Sequence, residues 1–309
     1  MTVLVTGGLG YLGSRLIREL PRTPAFAGEE IRILDNFRQP RFHSLWDLPV
    51  EGEYNLIKGD IRDEETVREA MEGVSTVFHL AAVTNAPETF DIPDKTWDVN
   101  YDSALTVYEA ARDADADRFV NSSTCSVYGR TEDEITEAYD CDPESPYGNA
   151  KLEAEQEILE RNDGEIGVTA LRLGTVYGWT TGMRFDTVVD KFALLAAAGE
   201  PLTVYEGAEE QMRPYLHVHD AVRSMLFAGA ELGDNRTYNV VGQNAPLQSV
   251  VDAIVRHFPD VEIGYTEVEH LNQLSYVVSD DRIRSEGFET MYDLDDGVEE
   301  LADKFRALV

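Results

Sequence analysis

Tyr147 and Lys151 stand four positions apart in Tyr147-Gly148-Asn149-Ala150-Lys151. On a helix this spacing puts a phenol and an ammonium on one face, ~6 Å apart. A phenol is a poor base at its ordinary pKa of about 10, but a nearby cation favours the phenolate and draws that value toward the operating pH. Such a pair can take a proton from an alcohol and return it. With 14 tyrosines in 309 residues, and five lysines, chance alone supplies roughly 0.2 matches to the pattern. Tyr54-Asn55-Leu56-Ile57-Lys58 serves as a control, because it has the same spacing in a segment that reads as a strand, where four residues span about 13 Å. Only Tyr147 and Lys151 can cooperate locally. Pro143, Ser145 and Pro146 suit a loop that enters a helix at Tyr147.

A hydroxyl donor should sit near the same reacting oxygen. Ser122-Ser123-Thr124-Cys125-Ser126-Val127-Tyr128-Gly129 follows an apolar strand at its carboxyl end, where a donor is needed. The residues alone leave Ser122, Ser123, Thr124 and Ser126 open, and most such hydroxyls bond local backbone.

A second constellation opens the chain. Thr6-Gly7-Gly8-Leu9-Gly10-Tyr11-Leu12-Gly13 follows the first strand and begins the first helix. Glycines there allow a tight turn and let backbone N–H groups approach a pyrophosphate at the helix N-terminus. Asp35 ends the second strand, where an acidic side chain accepts hydrogen bonds from the ribose hydroxyls of a dinucleotide. Its charge repels a 2′-phosphate and so favours NAD over NADP, while Arg38 and Arg41 keep the second cofactor open.

The elements that must position these groups alternate from the first residue. Residues 3–6, 31–35, 54–57, 76–81, 119–123 and 168–173 read as buried strands, with helices near 12–20, 63–72, 95–113 and 147–162. This rhythm predicts an α/β fold, a Rossmann-type doubly wound parallel sheet whose ligands lie beyond the strand carboxyl ends. Beyond Leu173 it loosens into helices over 185–199, 220–231 and 247–258, short strands near 202–205, 215–218, 237–241 and 261–265, and an acidic helical end. Without a linker or repeat, the division is residues 1–173, joined by 217–241, as dinucleotide domain, and 174–216 with 242–309 as a smaller, closely packed substrate domain. Residues 37–46 read as a surface loop.

Composition narrows the partners. A net charge of −33 repels nucleic acid and anionic membrane, and the acidic residues are spread along the whole length. Such a surface fits a protein from a high-salt cytoplasm, where concentrated cations screen self-repulsion. No apolar run is long enough to span a bilayer, the N-terminus enters a strand without a basic leader, and two cysteines make no disulfide framework, so the chain reads as cytoplasmic. His79, His217 and His219 lack metal-ligand spacing, and the expectation is no metal.

At these residues the sequence resembles the extended short-chain dehydrogenase/reductase family, within it the NAD-dependent nucleotide-sugar epimerases and dehydratases. The likeness runs from Thr6 beyond Asp280. It takes in the glycine loop, Asp35-Asn36, Gly59-Asp60-Ile61, Leu80-Ala81-Ala82, Asn100, the turn Val127-Tyr128-Gly129, Tyr147 with Lys151, and the run from Arg213 to Asp220. The resemblance implies that Thr124 is the catalytic hydroxyl beside Tyr147 and Lys151. It implies cofactor contacts from Gly7, Gly10, Tyr11, Leu12 and Gly13, and from Asp35 and Asn36. Asp60 and Ile61 would meet the adenine, Leu80, Ala81 and Ala82 would line the nicotinamide side, and Asn100, Ser122 and Val176 would complete the pocket. Substrate would touch Thr124, Tyr147, Thr175, Arg184 and Arg213, the last holding a nucleotide diphosphate through bidentate bonds. Relatives pair helices near 101–112 and 147–162 across a homodimer.

Departures from the family pattern matter as well. Its dehydratases carry an Asp-Glu pair after the catalytic threonine, and here those positions are Cys125 and Ser126. Thr175 stands where relatives commonly have a substrate-binding Asn, and Glu269, His270 and Leu274 lie where many have a second diphosphate arginine. The expected activity is a UDP-sugar 4-epimerase working through a transient 4-keto sugar. The alternatives are an NAD(P)-dependent sugar or alcohol dehydrogenase, and a non-catalytic NAD sensor.

Overall fold

The computed structural model describes residues 2–39, 41–129, 131, 134–266 and 275–306. Seven strands form the main sheet: Thr2–Thr6 (β1), Glu30–Asp35 (β2), Glu53–Lys58 (β3), Val74–His79 (β4), Arg118–Thr124 (β5), Gly167–Leu173 (β6) and Arg236–Val240 (β7). Their order is β3-β2-β1-β4-β5-β6-β7, and every pair is parallel. The winding reverses between β1 and β4, so the connections leaving those two strands diverge and open a crevice above them.

Side-chain alternation in β1 builds both layers. Val3 and Val5 pack on one face with Leu16 and Ile17 of Tyr11–Glu19 (α1) and Met225 of Val218–Glu231 (α6). Leu4 points the other way, into a layer with Val67 of Glu64–Met71 (α2), Val107 and Tyr108 of Ser103–Asp113 (α3) and Ile158 of Pro146–Arg161 (α4). Burying both faces explains why the strands read as apolar runs. β3 departs from that reading. It is an edge strand, Leu56 is 40% exposed, and the control pair is separated along it: Lys58 lies over the Phe37 ring.

The segment expected as one helix over 95–113 is broken. Pro93–Trp97 runs into a π-helical turn at Asp98–Asp102 before α3 begins, and Asn100 lies in that turn. A wide turn of this kind re-aims a side chain. α4 begins at Pro146, one residue before the expected start, because the Ser145 hydroxyl caps it by accepting from the Gly148 amide at 3.1 Å.

Beyond β6 a third apolar cluster joins Val188–Ala197 (α5), Leu247–His257 (α7) and Leu294–Phe305 (α8) through Phe192, Ile254 and Phe305. Three short strands, Thr175–Tyr177, Met212–His217 and Gln243–Pro246, make a small sheet beside it. Among the described residues no helix is long and apolar enough to cross a membrane.

Candidate active site

The glycine loop is built from close approaches. Gly7 has φ +68°, and a Cβ there would lie 2.8 Å from the Ala81 Cα. A Cβ on Gly13 would fall 2.5 Å from the Gly7 carbonyl oxygen. Either change displaces backbone. Gly10 caps α1 without a side-chain bond and no acidic residue sits in its first turn, so the helix presents amide hydrogens and positive dipole to an anion.

Asp35 ties this loop to β2. One carboxylate oxygen accepts from the Leu9 amide at 3.1 Å and the other from the Phe37 amide at 2.9 Å. Burial pushes its pKa up, against those two amides. Beside it Asn36 donates to Asp60 at 3.0 Å, and Arg62 grips Asp60 through Nε and Nη2, both at 2.9 Å, holding that carboxyl well below its usual range. Residues 37–46 are more than a surface loop. Buried Ser44 donates to the Leu9 carbonyl at 3.1 Å, and Arg18 binds the Ser44 carbonyl at 2.8 Å.

Leu80, Ala81 and Ala82 form the opposite wall, with the Leu80 and Ala81 amides turned back onto Thr6 Oγ1 at 3.2 and 3.3 Å. That turn is why β4 stops at His79 rather than Ala81. Asn100 corrects an expectation, since it does not line the cleft. Its amide accepts from the Val83 N–H at 2.8 Å and donates to the Val83 carbonyl at 2.9 Å, bracing the wall from behind.

At the carboxyl end of β5, Thr124 is the hydroxyl that reaches Tyr147. Burial raises the Tyr147 pKa, and the Thr124 bond and the Arg184 charge pull it back. Of the other candidates, Ser123 turns away to Glu155, and Ser122 and Ser126 line the cleft. Lys151 is 3% exposed, and burial draws its ammonium down to about 8 against the opposing charge of Glu155.

These groups line one cleft of about 930 Å³, together with Gly7, Gly10, Tyr11, Leu12 and Gly13, then Asp35, Asn36, Asp60 and Ile61, and, from the far side, Thr175, Val176 and Arg184. The Arg184 guanidinium lies 5.6 Å from the Tyr11 ring centroid and donates to Thr84 at 2.9 Å. Arg213 is the second correction. It does not line the cleft but turns to Gln211 and the Met212 carbonyl and lies over the ring of Tyr276, which does. Glu269, His270 and Leu274 lie outside the described residues. In a chain of −33 the cleft is locally basic, with Arg38, Arg41, Arg62, Lys95, Lys151 and Arg184 against four carboxylates.

The model of the NAD dependent epimerase/dehydratase family matches residues 3–241. The chain belongs to this family. A UDP-glucose 4-epimerase of Streptomyces lividans is 30% identical over 240 residues, which cover 73% of this chain and 70% of that one. The low-salt glycan biosynthesis protein Agl12 of Haloferax volcanii is 26% identical over 99% of this chain and 98% of its own. The structure of the Thermus thermophilus UDP-glucose 4-epimerase in complex with NAD superposes with a TM-score of 0.87 at 26% identity, covering both chains fully. Family membership makes the protein an NAD-dependent enzyme of the extended short-chain dehydrogenase/reductase type. The tight turn that Gly7 and Gly13 allow, where a Cβ would strike backbone, and the open N-terminus of α1 behind it fit a dinucleotide diphosphate.

The motifs missed Arg62, Glu155 and Arg172. Arg62 is two residues after Asp60 in a turn, and Glu155 is one helical turn after Lys151, so both could have been found by asking which charges those neighbours face. Arg172 lies in a strand that otherwise reads as apolar, where a lone charge signals a buried partner.

Proposed function

We propose that the protein is a UDP-sugar 4-epimerase. The observation that carries the reading is the meeting of Thr124 and Tyr147 at the carboxyl end of β5, in a basic cleft of about 930 Å³ that buried Lys151 also lines. Tyr147 takes the proton of the sugar's C4 hydroxyl, with the Thr124 hydroxyl bonded to the same oxygen, and returns it when the 4-keto sugar has turned over. NAD⁺ in the cleft would supply the hydride acceptor and donor for C4. The glycine loop and residues 35, 36, 60, 61, 80–82, 122 and 176 hold it, with Asn100 acting through Val83. Thr175 and Arg184 face the substrate, and Arg213 supports them through Tyr276.

Elimination of water would need an acid and a base next to Thr124. Cys125 is buried, its thiol donates to the Arg172 carbonyl at 3.3 Å, and burial pushes its pKa far up, so it serves as neither. That observation favours epimerase over dehydratase.

The division into a dinucleotide domain (1–173 with 217–241) and a substrate domain (174–216 and 242–309) goes with this reading, as β7 returns from beyond the intervening segment to complete the main sheet. So does a homodimer through α3 and α4, which lie side by side with Arg161 of one bonded to Glu109 of the other. Two free thiols suit a cytoplasmic setting, and the −33 charge suits a salty one.

Incubation with UDP-glucose, UDP-galactose and their N-acetyl and uronate counterparts, followed by NMR, tests the assignment. Inversion at C4 without net NADH is the expected outcome. Stoichiometric NADH would make it a dehydrogenase, and NAD binding without turnover would make it a sensor.

A further inference from the structure

Glu155 lies one turn beyond Lys151 on the same face of α4 and is 1% exposed. Its carboxylate is bonded from three strands. Ser123 of β5 donates at 2.5 Å, Thr237 of β7 donates at 3.2 Å, and Arg172 of β6 donates through Nε to both oxygens at 3.0 and 3.1 Å and through Nη2 at 2.5 Å. Arg172 is fixed in turn by the Tyr128 hydroxyl at 2.9 Å, and Tyr128 donates to Asn239 at 2.6 Å.

The placement is specific. Ser123 directly precedes Thr124 at the end of β5, and the two reach different turns of α4, Ser123 bonding Glu155 and Thr124 meeting Tyr147 at the start of the helix. The tie therefore sits one residue from the hydroxyl donor on β5 and one turn from Lys151 on α4. Apolar side chains could pack a helix on a sheet at lower desolvation cost than a buried charged network. A network here supplies what they do not, namely directional bonds that set the register of α4 against β5 and a charge facing Lys151.

We propose that Glu155 is a positioning residue for the proton-transfer pair: clasped by Arg172 and Ser123, it fixes where Lys151 and Tyr147 stand relative to Thr124 and sets a carboxylate one turn from the Lys151 ammonium. This rests on Tyr147 being the proton carrier. Lys151 is faced by Glu155 from its own helix and by His79 from β4, whose Nδ1 is bonded to Thr6 Oγ1 at 2.9 Å; Arg172 reaches it only through Glu155. Removing the carboxylate leaves the ammonium without its counter-charge.

Two variants of the NAD-loaded enzyme test this. Ser123→Ala removes one bond and keeps every charge. The double variant Glu155→Met with Arg172→Met removes the ion pair without stranding either charge. Ser123→Ala should lower kcat about tenfold with KM unchanged, since small displacements of reacting groups cost rate rather than affinity. The double variant should lower kcat at least as far and move the basic limb of its pH profile down by about one unit, whereas Ser123→Ala keeps the parental limb. Parental kcat in Ser123→Ala overturns the proposal, as does a folded double variant with parental kcat and limb. If the double variant does not fold, the Ser123→Ala rate decides alone. Failure of the underlying reading shows separately, as turnover surviving in Tyr147→Phe.

Discussion

The hydroxyl of Tyr11, the first residue of α1, donates to the carbonyl of Gly178 at 2.6 Å. Asp190 Oδ2 lies 3.1 Å from the same hydroxyl, and the other Asp190 oxygen accepts from the Gly178 amide at 2.9 Å. The segment after β6 is thereby latched onto the glycine loop, and the Gly182 amide adds a bond to Ser14 Oγ at 2.9 Å. The segment from Gly178 to Asp190 thus helps hold the glycine loop and the start of α1 in place.

Removing that latch should therefore be felt at the cofactor. Tyr11→Phe is expected to cost about 1–2 kcal/mol of stability, the penalty for leaving buried acceptors without a donor. NAD should dissociate several-fold faster, with kcat at saturating NAD nearly unchanged. Stopped-flow displacement of the cofactor measures this, and a parental off-rate would show that the latch is structural only.

Tyr147→Phe keeps the ring and deletes the hydroxyl proposed to carry the proton. General acid–base groups of this kind contribute roughly 10² to 10⁴ in rate. Turnover should fall by that order while NAD content and melting temperature stay near parental values. Thr124→Val should lose less, because the phenol can still reach the substrate oxygen. Equal and mild losses in both would remove Tyr147 from its role.

Much of this geometry was legible in the chain. Glycines 7, 10 and 13, Asp35 and the Tyr147/Lys151 pair are local patterns, and a spacing on one helix or one turn reports a local distance. What could not be read was convergence from separated segments. Asn100 reads as a pocket residue, yet the π-helical turn sends its amide to the Val83 backbone. Arg213 reads as a diphosphate ligand, yet it is drawn to Tyr276 and Gln211. β3 reads as buried because Leu56 and Ile57 are apolar, but among the described residues no strand lies beyond it in the sheet to cover its edge. The register among β5, β6 and β7 that gathers Ser123, Arg172 and Thr237 on Glu155 has no local signature at all.

Lys151 carries a testable pH signature. Its folded pKa is drawn down to about 8 from an unfolded value of 10.5, so between those values the unfolded chain holds the extra proton. Burying the charged form thus destabilises the cofactor-free protein fully below pH 8, and the penalty fades as pH rises toward 10.5. Lys151→Met should melt higher than the parent at pH 7, and the difference should shrink steadily above pH 8. The same variant should lose activity at every pH. A melting difference that does not vary with pH would mean that the ammonium is better solvated than its 3% exposure suggests.

The −33 charge makes opposite demands at low and high salt. Surface ion pairs such as Arg22 with Glu51 and Arg256 with Asp295 weaken as salt is added, but exposed pairs are worth only about 0–1 kcal/mol each. Against them stands self-repulsion among the surplus carboxylates, as along α2 and its cap, where Glu64, Glu65, Glu69 and Glu72 are all exposed. Acidic residues outnumber basic ones by 33, so the repulsive part dominates at low salt. Raising KCl from 0.1 to 1 M shortens the screening length from about 10 to 3 Å, which removes most of the repulsion and little of the packing. The melting temperature should climb steeply over that range. Replacing these four glutamates by glutamine should raise the low-salt melting temperature and flatten the salt dependence. A flat curve in the parent would show that the acidic surface serves solubility rather than life in salt.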